Sequence, residues 1–272
     1  MEDNKRMKQD EATKLLNPIT EELKVAFKTI LEQSYNTNTK GGDYEKKIID
    51  LLLEPYLKNL FIFHQRAKIV DKDMKYLEVI GRQNEFDIVG TFKVATPDIV
   101  LGTGPTVLYD ATGFIIEVKQ DLTTENLEKD LQKLDKIRLL ELTKNRFSAF
   151  ISGEYTVKNT NNEPRPLRLL FYLKAEMKSE EINKVLCDAK YYDSWDAVVL
   201  FNEGIVLVNT KNMPISKAAF KNHSDIKPIV SLGKNVAFKV LIIIIASCPI
   251  PNSVNLIFPL LQIEHYALGV SE

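Results

Sequence analysis

Two apolar segments, each interrupted by a carboxylate, constrain this chain more than any other feature. Segment 86–89 carries Asp87 between apolar residues, and segment 114–120 carries Glu117 with Lys119 two positions later. In an extended strand residues i and i+2 point to the same face, so Glu117 and Lys119 are expected to project together. A carboxylate in apolar surroundings is costly unless it is paired or bound to a metal ion. The sequence therefore predicts that the three polar side chains converge on one site.

Such a trio suits metal-assisted hydrolysis of a phosphodiester. Mg²⁺ prefers oxygen ligands and is typically held by one or two carboxylates, several waters and a substrate phosphate. A metal ion held by Asp87 and Glu117 would polarise the phosphoryl group and lower the pKa of a bound water. The Lys119 ammonium would orient that water or stabilise charge on the phosphate. Asp98 is the alternative first ligand, although its neighbours are typical of a loop, and Glu-x-Lys is also common on half-exposed strands.

The order of these residues resembles a known signature. Asp87 followed by Glu117-Val118-Lys119 is similar to the D…(D/E)xK signature of the PD-(D/E)xK restriction-endonuclease-like superfamily. The chain resembles most closely the NucC-like nucleases, the DNA-degrading effectors of cyclic-oligonucleotide antiphage (CBASS) systems. Segment 40–45, with two glycines and a glutamate at a helix start, and the long charged helix after Gln120 extend the resemblance over about residues 10–145.

The resemblance implies an α/β fold with a restriction-endonuclease-like core, in which a mixed central sheet is flanked by helices. It implies one PD-(D/E)xK nuclease domain over residues 1–272, with a catalytic core at about 40–145. The C-terminal part would complete the sheet and make oligomer contacts. The implied activity is a Mg²⁺-dependent double-stranded DNA endonuclease of an antiphage defence system, in which Mn²⁺ can replace Mg²⁺.

Residue roles follow from the same resemblance. Asp87 and Glu117 would be the metal ligands, with Lys119 as their catalytic partner. Glu45, from the first core helix, and Gln120 would be accessory catalytic groups. The cations on the helix after Gln120 are typical of a solvated face, but the resemblance also implies contact with the DNA backbone through Lys129, Lys133 and Lys136.

Regulation is where the chain departs from the family pattern. NucC-like effectors are trimers that bind cyclic triadenylate at their three-fold axis and pair into hexamers, using an arginine after the first core helix and an aromatic residue after the first acid. This chain has Leu60 at the first place and Phe92 and Lys93 near the second. Leucine cannot replace a guanidinium at a phosphate. Phe92 and Lys93 remain as candidate nucleotide contacts; alternatively another cyclic oligonucleotide is sensed, or the protein is not gated.

Composition sets broader limits. The 36 Lys and Arg residues nearly balance 37 Asp and Glu residues, so a DNA-binding surface must be a local patch. Cys187 and Cys248 lack metal-ligand or disulfide spacing, and residues 1–5 lack the apolar core of a signal peptide, so a cytoplasmic location is expected. The apolar run 240–245 is too short to span a membrane.

Hydrophobic periodicity predicts helices and strands along the whole chain. The predicted helices cover about 8–34, 43–56 (after a loop at 35–42, with Asp43 as N-cap), 123–144, 179–189, 236–247 and 256–268. The predicted strands cover 61–64, 68–70, 76–80, the Asp87 segment, 99–101, 107–109, 114–120, 147–152, 167–173, 195–201 and 205–208, the last two forming a hairpin.

Two other functions fit the same core. One is a sequence-specific restriction endonuclease, which would produce discrete DNA fragments. The other is a non-catalytic binding or assembly subunit, which would cleave under no condition. The intact set of Asp87, Glu117 and Lys119 favours an enzyme, since an inactive relative would be free to lose it.

Overall fold

The computed structural model describes residues 37–71, 85–93, 104–140, 165–209, 229–232 and 237–246, with isolated helical positions between 18 and 32. Asp98, the predicted strands at 76–80, 99–101 and 147–152, and the predicted helix at 256–268 lie outside these residues. So does most of the predicted helix at 8–34.

The described strands form one eight-stranded sheet with helices on both faces. The strands are β1 Phe61–Val70, β2 Glu85–Phe92, β3 Thr106–Leu108, β4 Thr112–Leu122, β5 Leu167–Ala175, β6 Ala197–Leu200, β7 Ile205–Asn209 and β8 Ile229–Leu232, in the spatial order β3-β1-β2-β4-β5-β6-β7-β8. Strand β1 is parallel to β3, and β4, β5 and β6 are parallel to one another, while the remaining neighbours are antiparallel. The predicted α/β class with a mixed central sheet is confirmed.

The helices occupy the two faces of this sheet. They are α1 Thr37–Lys47, which continues through a π-helical segment Ile48–Leu53 into α2 Glu54–Leu57, then α3 Thr124–Asp135, extended by a 3-10 turn Lys136–Leu139, then α4 Ser179–Leu186 and α5 Ala237–Ala246. Buried side chains of α1, the π-helical segment, α2 and α5 pack on one face, which we name the first core. Buried side chains of α3 and α4 pack on the opposite face, the second core.

Helix α3 follows directly from its sequence. Thr123 has an extended backbone, and its hydroxyl accepts a hydrogen bond from the Asn126 N–H at 3.2 Å, so Thr123 caps the N-terminus of the helix. Leu127, Leu131 and Leu134 recur at helical spacing and are fully buried in the second core. Each such leucine stabilises the fold by roughly 1.5–3 kcal/mol. This burial fixes the rotation of α3 and thereby which of its side chains reach the sheet.

The predicted loop at 35–42 is wrong for residues 37–42, which belong to α1, and Asp43 is not an N-cap but lies inside the helix. Glycines and asparagines in a row indicate a turn when only local preferences are considered. In this protein, contacts with strand β1 stabilise the helix in spite of these local preferences. The Gln65 side chain donates to the Gly42 carbonyl at 3.0 Å, and a Cβ at Gly42 would lie 3.1 Å from Nη2 of Arg66. The glycine permits close approach of β1 to the helix rather than a turn.

Several other predictions are confirmed with shifted boundaries. The two predicted strands at 61–64 and 68–70 form the single strand β1, and the hairpin of β6 and β7 is antiparallel as expected. The predicted helices at 179–189 and 236–247 correspond to α4 and α5. Strand β8 was not predicted. Among the described helices, none is long and apolar enough to cross a membrane.

A substitution at Gly90 tests how tightly strands β2 and β4 are packed. It pairs with Phe114 across the strands, and a Cβ at Gly90 would lie 2.1 Å from Cε1 of the Phe114 ring. We expect Gly90→Ala to lower the free energy of unfolding by about 1–3 kcal/mol, because the buried ring must move. Gly104→Ala is the control, since no atom lies within 4 Å of its Cβ position. Urea denaturation should separate the two variants; equal stability would contradict this packing.

Candidate active site

The predicted acids lie where two neighbouring strands stop pairing. Strands β2 and β4 are antiparallel partners up to the pair Ile88 and Ile116, and Asp87 and Glu117 are the next residues on each strand. Beyond this point the Val118 N–H donates a hydrogen bond to Oδ2 of Asp87 at 2.8 Å. The Asp87 carboxylate thus satisfies a backbone donor at the place where the two strands diverge, and this contact fixes its position relative to Glu117.

Lys119 brings the two carboxylates together. Its Nζ lies 3.0 Å from Oδ2 of Asp87 and 3.4 Å from Oε2 of Glu117, so these two oxygens are at most 6.4 Å apart, the sum of the two distances. Nζ also lies 3.3 Å from the Val118 carbonyl oxygen. The structure therefore brings the three residues together as the strand periodicity predicts. This upper limit is compatible with one hydrated ion that has oxygen ligands at about 2.1 Å.

A second lysine enters the site from helix α3. Nζ of Lys133 donates to Oε1 of Glu117 at 2.6 Å and to the Glu85 carbonyl at 2.7 Å. It also lies 4.9 Å from the centroid of the Phe86 ring, and only 18% of its side chain is exposed. The resemblance implied that Lys133 is one of the cations that contact the DNA backbone. In the structure it donates to Oε1 of Glu117, so that each carboxylate oxygen of this residue lies beside an ammonium group.

Two further residues behind the site were missed by the sequence reading. The Tyr172 hydroxyl donates to Oδ2 of Asp130 at 2.8 Å, and both residues are buried. Tyr172 lies on β5 in register with Lys119, and Asp130 lies one helical turn before Lys133. Burial, followed by the Asp130 charge, raises the pKa of Tyr172 well above its ordinary value. In the sequence, Asp130 lies among the apolar leucines of α3, and this position could have indicated a buried acid with a polar partner.

Glu45 approaches from α1, as the resemblance implies. It is 4% exposed, and its Oε2 accepts no hydrogen bond from the described residues, although Nε of Arg66 lies 3.6 Å away. Burial and then the Asp87 charge raise the pKa of Glu45 to about 7, against the charges of Arg66 and Lys119. Glu45 is therefore electrostatically part of the site. Within the described ranges, however, no three His, Cys, Asp or Glu side chains are placed to hold one metal ion together.

The pKa values of both Glu117 and Lys119 are raised in the site. Burial and the Asp87 charge raise the pKa of Glu117 to about 7, although Lys133 and Lys119 oppose the rise. For Lys119, burial acts to lower the pKa, but the charges of Glu117 and Asp87 outweigh it and the net shift is upward. Lys119 therefore remains an ammonium at neutral pH.

The oxygen set around the Lys119 ammonium fits a hard divalent cation. Asp87 Oδ2, Glu117 Oε2 and the Val118 carbonyl all lie within 3.4 Å of Nζ. Two carboxylates and a carbonyl are the ligand types that Mg²⁺ takes, with waters completing its shell. In this arrangement the ammonium balances the charge that a metal ion would balance. The residues present thus match the metal chemistry that the sequence predicts.

The other residues that the sequence predicts for the active site, the nucleotide site and the DNA-binding surface make the following contacts. Gln120 follows Lys119 on β4, is partly exposed, and points to the opposite face by strand alternation. Phe92 is buried, its ring centroid 5.0 Å from that of Phe61, and Lys93 is exposed with Nζ 3.3 Å from the Lys58 carbonyl. Lys129 pairs with Glu125 on the outer face of α3, and Lys136 begins the 3-10 turn that follows.

Comparison with known proteins identifies the fold. No protein-family model and no curated protein matches the sequence. The structure is similar to the cAAA-bound form of P. aeruginosa NucC, with a TM-score of 0.63 over 88% of this chain and 91% of that chain. The chain has the NucC fold. The resemblance and the restriction-endonuclease-like core inferred from Asp87, Glu117 and Lys119 are thereby confirmed at the level of fold.

Two structures of E. coli NucC give the same result. The cAAA-bound form has a TM-score of 0.63 over 88% of this chain and 90% of that chain, and the apo form has 0.56 over 89% and 96%. Sequence identity is 14% to both cAAA-bound forms and 11% to the apo form. The NucC fold therefore persists here with little of the sequence in common, so residue roles must be argued from the site itself.

Proposed function

We propose that this protein is a Mg²⁺-dependent endonuclease that hydrolyses phosphodiesters of double-stranded DNA. The observation that carries the proposal is the convergence of Asp87, Glu117 and Lys119 at the divergence of β2 and β4, within a NucC fold. Two carboxylates and a permanent ammonium are the groups that metal-assisted phosphodiester hydrolysis requires. Mn²⁺ has the same preference for oxygen ligands and is expected to support the reaction as well.

Each residue has a defined part in this mechanism. Asp87 and Glu117 would hold the ion, which would polarise the phosphate and lower the pKa of a bound water. The Val118 N–H fixes Asp87, and Lys133 fixes Glu117. Lys119 is 36% exposed at its side chain, so its ammonium can reach a phosphate oxygen and stabilise the charge that develops there. Because its pKa is raised, Lys119 contributes charge and orients the attacking water without removing a proton from it.

Activation by a cyclic oligonucleotide is the second part of the proposal. Two of the solved NucC structures to which this chain is similar are cAAA-bound forms. In this chain the backbone N–H of Lys93 donates to the Leu60 carbonyl at 2.9 Å, so the two positions that carry the family's nucleotide contacts are neighbours. Phe92 is buried beside them, which leaves Lys93 as the accessible cation. We propose a homotrimer that pairs into a hexamer and responds to cyclic triadenylate or another cyclic oligonucleotide, in antiphage defence.

One experiment separates the candidate functions. Supercoiled plasmid is incubated with the protein and Mg²⁺, alone and with each of a panel of cyclic oligonucleotides, with EDTA controls. Progressive degradation that depends on Mg²⁺ and increases with one nucleotide is the expected result. Discrete fragments would instead indicate a restriction endonuclease, and no cleavage with any metal or nucleotide would indicate an assembly subunit. Light scattering after size-exclusion chromatography tests the assembly, which a monomer in all conditions would overturn.

A further inference from the structure

Strand β1 changes the core that it faces part-way along its length. Phe61 and Phe63 pack in the first core, whereas Ala67 and Ile69 pack in the second. In a regular strand these alternate residues would all point to one face. The alternation must therefore be interrupted between the two pairs, and the interruption lies at Arg66.

Strand β2 is interrupted at the matching position. Phe86 packs in the second core and Ile88 in the first, although residues two apart should share a face. The register pairs Gln65 with Ile88 and Ala67 with Phe86, so Arg66 falls directly opposite Asp87. Both strands thus switch faces together. The switch occurs at the first predicted metal ligand and at an arginine that no sequence pattern singled out.

The switch on β1 is produced by an unusual backbone conformation. Arg66 has a φ of 52°, and it is the one non-glycine residue with positive φ in the part of the chain that the structure describes. This left-handed region is unfavourable for a residue with a long side chain and is normally occupied by glycine or asparagine. Strain of this kind persists where the surrounding structure imposes it, and it is concentrated at functional sites.

The conformation directs the Arg66 side chain toward helix α1 and the site. Both Gln65 and Arg66 reach Gly42, although consecutive strand residues ordinarily point to opposite faces. The Arg66 guanidinium forms an ion pair with Glu45, with Nε 3.6 Å from Oε2, and 51% of the Arg66 side chain is exposed. The charges of Arg66 and Lys119 lower the pKa of Glu45, whereas burial and the charge of Asp87 raise it more strongly. A guanidinium that reaches solvent therefore borders the carboxylate cluster.

We propose that Arg66 binds a phosphate of the DNA backbone next to the scissile position and so places the strand on Asp87, Glu117 and Lys119. This inference rests on the proposed function. A site rich in buried carboxylates repels a polyanion, and a half-exposed guanidinium at its border supplies local compensation. Arginine presents a planar set of donors that can bind a phosphate in bidentate fashion, and it stays charged at any physiological pH. A glycine would fit the backbone better but would provide no such contact.

DNA affinity tests this role separately from catalysis. Binding of a short fluorescein-labelled duplex is measured by anisotropy over a range of NaCl concentrations, in a Glu117→Gln background that does not cleave, with and without cyclic triadenylate. We expect Arg66→Gly to weaken binding roughly tenfold and to reduce the slope of log affinity against log salt by about 0.9, the value for one lost phosphate contact. Arg66→Lys should retain the salt dependence of the parent but only part of its affinity for DNA. Lysine keeps the positive charge but lacks the planar guanidinium that can bind a phosphate in bidentate fashion.

Matched measurements exclude a purely structural role. Glycine relieves the strain of positive φ but gains more conformational freedom in the unfolded chain, so Arg66→Gly should melt close to the temperature of its parent. The control variant is Arg138→Ala. The Arg138 side chain is 69% exposed and its Nε lies 3.0 Å from Oδ2 of Asp135, so this variant should bind DNA like the parent. Unchanged affinity and slope in Arg66→Gly, with cleavage intact in the wild type, would overturn this inference alone. A wild type that neither binds nor cleaves DNA in any condition would overturn the proposed function with it.

Discussion

Replacing Glu117 with glutamine is expected to slow plasmid cleavage by roughly a thousandfold while the protein remains folded. The amide has the same shape and can still accept a hydrogen bond from Lys133, which now lies 2.6 Å from Oε1. It lacks the negative charge that binds a divalent cation. Its substitution also removes a buried carboxyl group whose pKa is already raised to about 7, so the cost in stability is expected to be small.

The control for this variant is a carboxylate on the neighbouring strand. Glu85 lies two residues before Asp87, and its side chain is 25% exposed with Oε1 3.8 Å from Nζ of Lys68. Glu85→Gln makes the same chemical change without touching the site carboxylates and should cleave plasmid at close to the wild-type rate. Rates are compared under identical Mg²⁺ and nucleotide conditions, with circular dichroism to check folding. Cleavage by Glu117→Gln at the wild-type rate would refute Glu117 as a metal ligand.

The centre of the site was predictable because strand geometry is simple. Glu117 and Lys119 share a face through the two-residue period of β4, and an acid within an apolar run at Asp87 indicated a buried carboxylate that needs a partner. No long-range information was required for either step. The mixed sheet flanked by helices was expected from the resemblance to restriction-endonuclease-like nucleases, and the alternating strand and helix patterns are typical of an α/β fold.

The surroundings of the site depend on tertiary contacts that no local pattern contains. Lys133 resembles any solvated lysine in sequence, and only the rotation of α3 on its buried leucines turns it toward Glu117. The position of the Arg66 side chain depends on a positive φ, a backbone conformation that arginine rarely adopts. Gly42 was read as part of a loop, because the close contact with β1 that explains it lies far away in the sequence.

The raised carboxyl pKa values predict how stability depends on pH in the absence of metal. Burial and the Asp87 charge raise the pKa of Glu117 from an ordinary value of 4.5 to about 7, and Glu45 behaves in the same way. Between these pH values the folded protein holds protons that the unfolded chain has released. The contribution of these groups to stability is therefore full below about 4.5, and it is lost as the pH rises through 7.

Added Mg²⁺ is expected to reverse this trend. The ion binds the ionised carboxyl group and competes with the proton, so below about pH 7 the metal affinity should fall by roughly tenfold per pH unit for each carboxyl group that must ionise. At a fixed Mg²⁺ concentration, the rise in melting temperature on adding the ion should be clearly larger at pH 8 than at pH 6.

Two amide variants assign this pH dependence to individual residues. Glu117→Gln should abolish most of the Mg²⁺-induced rise in melting temperature at both pH values, because it removes a proposed ligand. Glu45→Gln should preserve that rise while flattening the pH dependence of the metal-free protein, because Glu45 has a raised pKa but is not grouped with the other acids of the described residues around one ion position. Differential scanning fluorimetry provides both readouts without reference to cleavage. An equal Mg²⁺-induced shift at pH 6 and pH 8 would mean that Glu117 does not have to lose a proton for the ion to bind, which would remove the carboxylate cluster as the metal site.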